Sequence, residues 1–264
     1  MSWSRKVTFT AGVTAASANR TFSWARFKKE KRAGYTIYIS SCEYARDLEA
    51  PPAMLLDKTI YVRQESVRRF LWEKIEEFHW NRKNEAMQRA LACYAFEIDA
   101  ASALERMTQN ETDAMIAHEM GEALVGEQLG RDWQKMLSTL SRSKAEIMVR
   151  AVRDILADCM STLPKLLAAD NEASLHFYFA NFGGMRKHLF PEAIDAYQRW
   201  ATRQDGDALY HLANGGARRW LETARTTLDL YQKHGEHAAP AIEKLLEPAA
   251  ETSHCCSPKS DSSA

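Results

Sequence analysis

His118, Glu119 and Glu122 sit inside the run Ile116-Ala-His-Glu-Met-Gly-Glu-Ala-Leu-Val-Gly-Glu127, and their types and spacing are the chain's clearest chemical signal. At about 100° per residue, His118 and Glu122 share a helical stripe with Met115, Val125 and Leu129. Ile116, Met120, Ala123 and Leu124 occupy the other side, so the helix reads as buried nearly all round. Ionisable groups in such a place are costly unless they are paired, hydrogen-bonded or bound to metal.

One helical turn separates His118 from Glu122, so both could meet one ion, and imidazole and carboxylate suit Zn, Fe or Mn. Glu119, about 60° from Glu122, could bridge a second ion or act as a general base. Gly121 and Gly126 would admit a close backbone or ligand. The His-Glu-x-x-His pattern of zinc proteases fits only in part, because Glu122 stands where the second histidine would be. The Glu-x-x-His of helical di-iron proteins appears in reverse order. Further ligands must come from elsewhere, and Asp154, Asp158 and His176 are the candidates, with His188 and Glu192 as another His-to-Glu pair.

The metal reading therefore takes His118, Glu119, Glu122, Asp154, Asp158 and His176 as ligands, with Glu119 as the catalytic base. Carboxylate-rich and thiolate-free, that set favours Fe or Mn over Zn and would suit di-metal oxidation or metal-assisted hydrolysis. No cofactor at all is an equal reading. In it, the protein is a non-catalytic helical adaptor and the buried His–Glu pair only fixes packing. Asp154 and Asp158 lie opposite the apolar stripe Val152, Ile155, Leu156, Cys159 and Leu163, which favours solvated carboxylates. Phe177, Tyr178, Phe179 and Phe182 read as core, and His188 with Glu192 as a surface pair.

The elements that must position these residues are mostly helical. Tyr35–Ser40 and Thr59–Arg63 alternate as short strands, with a short helix between them at Glu43–Leu48 ended by Pro51-Pro52. Helical periodicity then covers Ser66–Trp80, Asn84–Phe96, a helix capped by Asp99, Glu111–Leu129, Asp132–Leu140 and Ser143–Leu163. Asn171–Phe182, Pro191–Arg203, Asp205–Lys233 and Pro240–Leu246 complete the series, with a break expected at Gly215-Gly216. Trp72 and Trp80 should pack against neighbours, while Glu73, Glu76, Glu77 and His79 form a solvated face. The expected organisation is a basic, unstructured 1–33, a single mainly α domain over 34–247 with a small two-stranded β element, and a disordered tail at 248–264.

Composition narrows the function classes. Thirty-five basic residues balance 35 acidic ones in 264, so no global field attracts nucleic acid or an acidic membrane surface. No apolar run nears the roughly 18 residues needed to cross a bilayer. Five cysteines without CxxC spacing fit a reducing compartment, the cytoplasm, with Cys93 and Cys159 as core residues. Cys255-Cys256 beside His254 is a minor candidate for a soft metal. The acid-free basic start also has a transit-peptide composition. Self-association is left open.

Five blocks taken together resemble a known family. They are Glu43-Tyr-Ala-Arg-Asp-Leu-Glu-Ala-Pro-Pro52, Arg69-Phe-Leu-Trp-Glu-Lys74, Ala117-His-Glu-Met-Gly-Glu-Ala123, Ala151-Val-Arg-Asp-Ile-Leu-Ala-Asp-Cys159 and Ser174-Leu-His-Phe-Tyr-Phe-Ala-Asn-Phe182. Their order is similar to that of an uncharacterised bacterial family, a domain of unknown function whose members usually carry an extra N-terminal segment that this chain lacks or replaces with Met1–Ala33. The resemblance spans about Tyr35 to Trp200. It implies no reaction, cofactor or partner, and only groups His118, Asp154, Asp158 and His176.

Overall fold

A computed structural model describes residues 7–9, 23–45, 51–203 and 205–248. Five strands, β1 Val7–Phe9, β2 Ser23–Arg32, β3 Tyr35–Ala45, β4 Ala53–Leu56 and β5 Thr59–Arg63, form one sheet in the order β1-β2-β3-β5-β4. The β2–β3 and β4–β5 pairs are antiparallel hairpins, and β3 runs parallel to β5. The β2–β3 turn is two residues, Ala33 and Gly34, both at positive φ (47° and 88°), the twist a tight hairpin requires.

Two of these strands depart from the expectation of an unstructured 1–33 over the described residues 7–9 and 23–33; the rest of that segment lies outside them. Lysines and arginines of β2 read as a solvated arm until their pairing strand is known. In the sheet, Lys29 pairs with Tyr38 and sits 5.4 Å from its ring centroid, while Glu30 holds Arg32 at 2.8 Å. The short helix expected from Glu43 is likewise replaced, as far as Ala45, by the end of β3; residues 46–50 lie outside the described ones, as do Cys255, Cys256 and His254.

Ten helices among the described residues follow: α1 Gln64–Trp80, α2 Glu85–Ala92, α3 Ala100–Thr139, α4 Lys144–Ala157, α5 Leu163–Ala168, α6 Glu172–Ala180, α7 Gly184–Leu189, α8 Glu192–Arg203, α9 Gly206–His234 and α10 Ala239–Leu246. The fold is mainly α. Asp99 caps α3 through the Ala101 and Ser102 amides, as its position suggested. Of the three helices expected between Asp99 and Leu140, the first two run on as one, while the break expected at Gly130 is present: α3 kinks there, at a non-helical φ of 70° that a residue with a Cβ adopts only with strain. No break occurs at Gly215-Gly216; Gly216 instead lets α9 lie against the Cys159 sulfur. No described helix is long and apolar enough to cross a membrane.

Two apolar cores meet along α3. Ile37, Ile39, Ile60 and Val62 of the sheet pack with Val67, Leu71 and Ile75 of α1 and with Met107, Ile116 and Met120 of α3. Farther along the same helix, Val125, Leu129, Trp133 and Met136 join the core of α4 and α9. His118 to Glu122 lie at the junction. Trp72 and Trp80 depart from expectation: they are 45% and 88% exposed, turned outward from α1. Cys93 is also exposed, because it follows the last turn of α2 rather than lying within its packed face.

Candidate functional site

The site begins where α3 meets α4. A Cβ on Gly121 would lie 2.5 Å from the Ala157 carbonyl oxygen, so this glycine sets the contact distance. Gly126 has no such neighbour, and its open surroundings leave it without that role. Directly after Ala157 the chain widens into a π-helical turn, Asp158–Thr162, before α5. Pro164 lacks an amide to donate one turn back, and a wider turn accommodates that loss. Ser161 in this turn donates to the Ala117 carbonyl at 2.6 Å and ties it to α3.

The turn delivers Asp158 into the protein, 1% exposed, where its two oxygens accept four hydrogen bonds. His118 Nδ1 and Thr162 Oγ1 meet Oδ1 at 2.8 and 2.9 Å, and the Tyr178 hydroxyl and Arg186 Nη1 meet Oδ2 at 2.9 and 3.0 Å. The solvated Asp158 expected from the stripe of α4 is thus corrected: α3, α6 and α7 close over that face. On the other side of the imidazole, His118 Nε2 faces Glu122 Oε1 at 3.5 Å. Arg153 Nη2 binds Glu122 at 2.7 Å and Asp154 at 3.1 Å.

Burial alone would discharge His118, but the Asp158 charge and hydrogen bond, with Glu122, outweigh it and hold its pKa well above the ordinary histidine value. Burial likewise works against ionised Asp158, and His118 and Arg186 reverse it, leaving the carboxyl below its usual range. For Glu122, burial is overcome by His118 and Arg153. Asp154 goes the other way, raised by burial that Arg153 only partly offsets. Two carboxyls stand apart. Burial, with the nearby Glu122 charge, raises Glu119 to about 7, and burial raises Glu111 to about 8 despite a 2.6 Å hydrogen bond from Ser174.

Of the six expected ligands, His118, Glu122 and Asp158 come together, Asp154 joins through Arg153, and Glu119 lies beside Glu122. His176 does not join them. It bonds the Tyr197 hydroxyl at 2.9 Å and lies against Trp200. Two residues along a helix is more than half a turn, so Tyr178 faces the site and His176 faces away. His188 and Glu192 also part company, because α7 ends before Pro191: His188 faces Glu247 at 3.5 Å and Glu192 pairs with Arg219. Among the described residues, no group of three or more His, Cys, Asp or Glu side chains is arranged to hold a metal ion.

Sequence reading missed Arg153, Thr162, Tyr178, Arg186, Glu111 and Ser174. Glu111 alone left a signal, since it continues the α3 stripe through Met115 to His118. Of the missed residues, all but Arg153 join His118, Glu119 and Asp158 in lining an open cavity of about 370 Å³ whose other walls include Phe70, Met115, Leu166 and Phe177. Arg63 donates to the Pro51 carbonyl at 2.8 Å and anchors the segment whose Pro52 and Ala53 roof it. Across Glu119 lies an open groove of about 800 Å³ that also meets Tyr35, Lys58, Glu122 and Arg153.

Sheet, helices and charge network define a mainly helical protein with a buried polar site where two cores meet. The chain belongs to the family of unknown function DUF6866: the N-terminal domain of that family matches residues 3–63 and the C-terminal domain residues 68–249. The match extends beyond Tyr35–Trp200 at both ends, and its start at residue 3 corrects the expectation that Met1–Ala33 stands in place of a family segment. Comparison with curated proteins and with solved structures gives no match.

Proposed function

We propose that the protein binds a small organic molecule in the cavity beneath α3, with Glu119 as the group that exchanges a proton there. One observation carries this reading: Glu119 lines both the cavity and the open groove, with a pKa of about 7. A concave, largely apolar space with a few convergent polar groups and a displaced pKa is the usual form of a ligand site. The His118–Asp158–Arg186 wall is already charge-matched, so it can orient a ligand without reorganising. Glu119 suits a general base or acid, because it is close to half ionised at neutral pH.

A centre of Fe, Mn or Zn is the competing proposal, and the charge pairing around His118 weighs against it. Asp158 and Glu122 flank the two ring nitrogens of His118, and Arg153 and Arg186 hold the carboxylates. An incoming ion would have to displace cations that already match the charge. A cytoplasmic location agrees with the free thiols of Cys42, Cys93 and Cys159.

The test is native mass spectrometry of the purified protein with elemental analysis, repeated on Glu119→Gln and on Ala114→Leu, which narrows the cavity. A small organic molecule carried by the wild type and lost from Ala114→Leu is the expected result. Near-stoichiometric Fe, Mn or Zn lost from His118→Ala would overturn it in favour of a metal centre. A second reading, an adaptor without catalysis, draws on exposed Trp72, Trp80 and Ile98, the last 87% exposed. It predicts that the cavity variants leave partner capture intact.

A further inference from the structure

Every acid of the charge network has its cation except two. Asp158 faces His118 and Arg186, while Glu122 and Asp154 face Arg153. Glu111 and Glu119 form no ion pair among the described residues, yet both line the same cavity. They stand eight residues apart on α3, which is about 12 Å along the helix axis. Between them the wall carries Met115, and around it Phe70, Leu166 and Phe177. The cavity is therefore a largely apolar slot whose lining carries two carboxyls without an ion-pair partner among the described residues, Glu119 taking only the Leu55 amide and Glu111 the Ser174 hydroxyl.

We propose that this slot takes an aliphatic diamine, one ammonium at Glu111, the other at Glu119, with the methylenes against Phe70, Met115, Leu166 and Phe177. The inference rests on the pocket reading above and names its ligand class. A diamine supplies what each carboxyl lacks, a cation with several N–H donors, and its body matches the apolar walls. A neutral chain would leave both carboxyls uncompensated. A dicarboxylate would bring like charge to them and find Arg186 already engaged by Asp158.

Burial keeps both carboxyls largely protonated at slightly acid pH, so binding a dication expels protons to solvent. Ammonium groups stay charged to about pH 10, whereas the carboxyls ionise on the way from pH 6 to pH 9. Binding must therefore tighten as pH rises. Facing Glu119 and Glu111 are His118, Glu122, Arg153 and Ser174, with Lys58 and Tyr35 on the groove side of Glu119, Tyr94 near Glu111, and Asp158, Tyr178 and Arg186 across the cavity. His118 stays cationic through neutrality, so these groups leave that direction unchanged.

Isothermal titration calorimetry on the full chain at pH 6 and pH 9 tests this with 1,6-diaminohexane, 1,6-hexanediol and adipate. The diamine is expected to bind at least tenfold tighter at pH 9, and to weaken at least tenfold in Glu111→Gln and in Glu119→Gln. Gln resembles the protonated carboxyl, so both variants should fold. Equal binding of the diol or adipate, or diamine binding that ignores both substitutions, would overturn the proposal. If the diamine fails while the diol enters and Ala114→Leu excludes it, the diamine is wrong and the pocket reading stands. If no probe enters, both fall.

Discussion

Asp158 holds two cations and two hydroxyl donors in a place nearly sealed from water, and this decides the state of His118. A carboxylate there is tolerable because its partners satisfy it, and removing its charge uncovers them. Asp158→Asn keeps the shape but leaves the His118 imidazolium and Arg186 guanidinium adjacent and uncompensated, a change expected to cost about 3 kcal/mol in urea unfolding at pH 6. The pH dependence has a definite sign. A histidine whose pKa is raised by folding adds stability below its unfolded pKa and loses it as pH climbs through the folded value. Wild-type stability should therefore decline as pH rises through the folded value. The Asn variant should lose only the His118 share of that slope, since Glu119 and Glu111, raised to about 7 and about 8, also cost stability as they ionise, and its His118 imidazole resonances should titrate at lower pH by NMR. Unchanged His118 titration would show that Asp158 does not govern it. His118 with Glu122 was legible because both lie on one helix at a known spacing. Asp158 was legible as a residue but not as a buried one, since its burial depends on α3 before it and α6 and α7 after it closing over α4.

At the scale of elements, phase determines which side chains reach the site. The helical pattern of Asn171–Phe182 was plain, yet it could not say which face of α6 would turn inward; packing on α2 and α5 chose Tyr178 over His176. The π-helical turn after Ala157 is a second such case, because periodicity across Ser143–Leu163 assumes one continuous helix. The α3–α4 contact at Gly121 holds both phases in place. Gly121→Ala would drive a methyl group to 2.5 Å from the backbone oxygen of Ala157, an atom that cannot rotate away. The helices must separate, which should destabilise the protein by about 1–3 kcal/mol and disturb the His118–Asp158 hydrogen bond. Gly126→Ala is the matched control: it lies in the same helix with open space around it, and should stabilise by about 0.5–1 kcal/mol. Denaturant midpoints of the two variants moving in the same direction would refute the close-contact argument.

The whole molecule is divided in one sense and continuous in another. The family's two domain profiles meet between residues 63 and 68, at the start of α1. The apolar core ignores that border: Ile37, Ile60 and Val62 of the sheet share a cluster with Val67, Leu71 and Met107 of the helices, all at 1% exposure or less. Sequence alternation exposed two of the five strands, but it could not show that their buried face is completed by helices. α3 then joins this cluster to the second one, where Trp133 and Trp220 lie. A protein built this way should unfold as one unit, since melting the sheet bares α1 and the front of α3 and takes away the roof of the cavity. Far-UV circular dichroism and tryptophan fluorescence should give coincident thermal transitions, because the buried tryptophans report the far cluster while dichroism reports every helix. A chain beginning at Gln64 should bind a hydrophobic dye and lose sharp side-chain NMR dispersion, having exposed Val67, Leu71 and Ile75. A fluorescence transition that persists well above the loss of the sheet, or a truncated chain with native dispersion, would mean that the two profiles mark independent folding units and that α3 does not couple them.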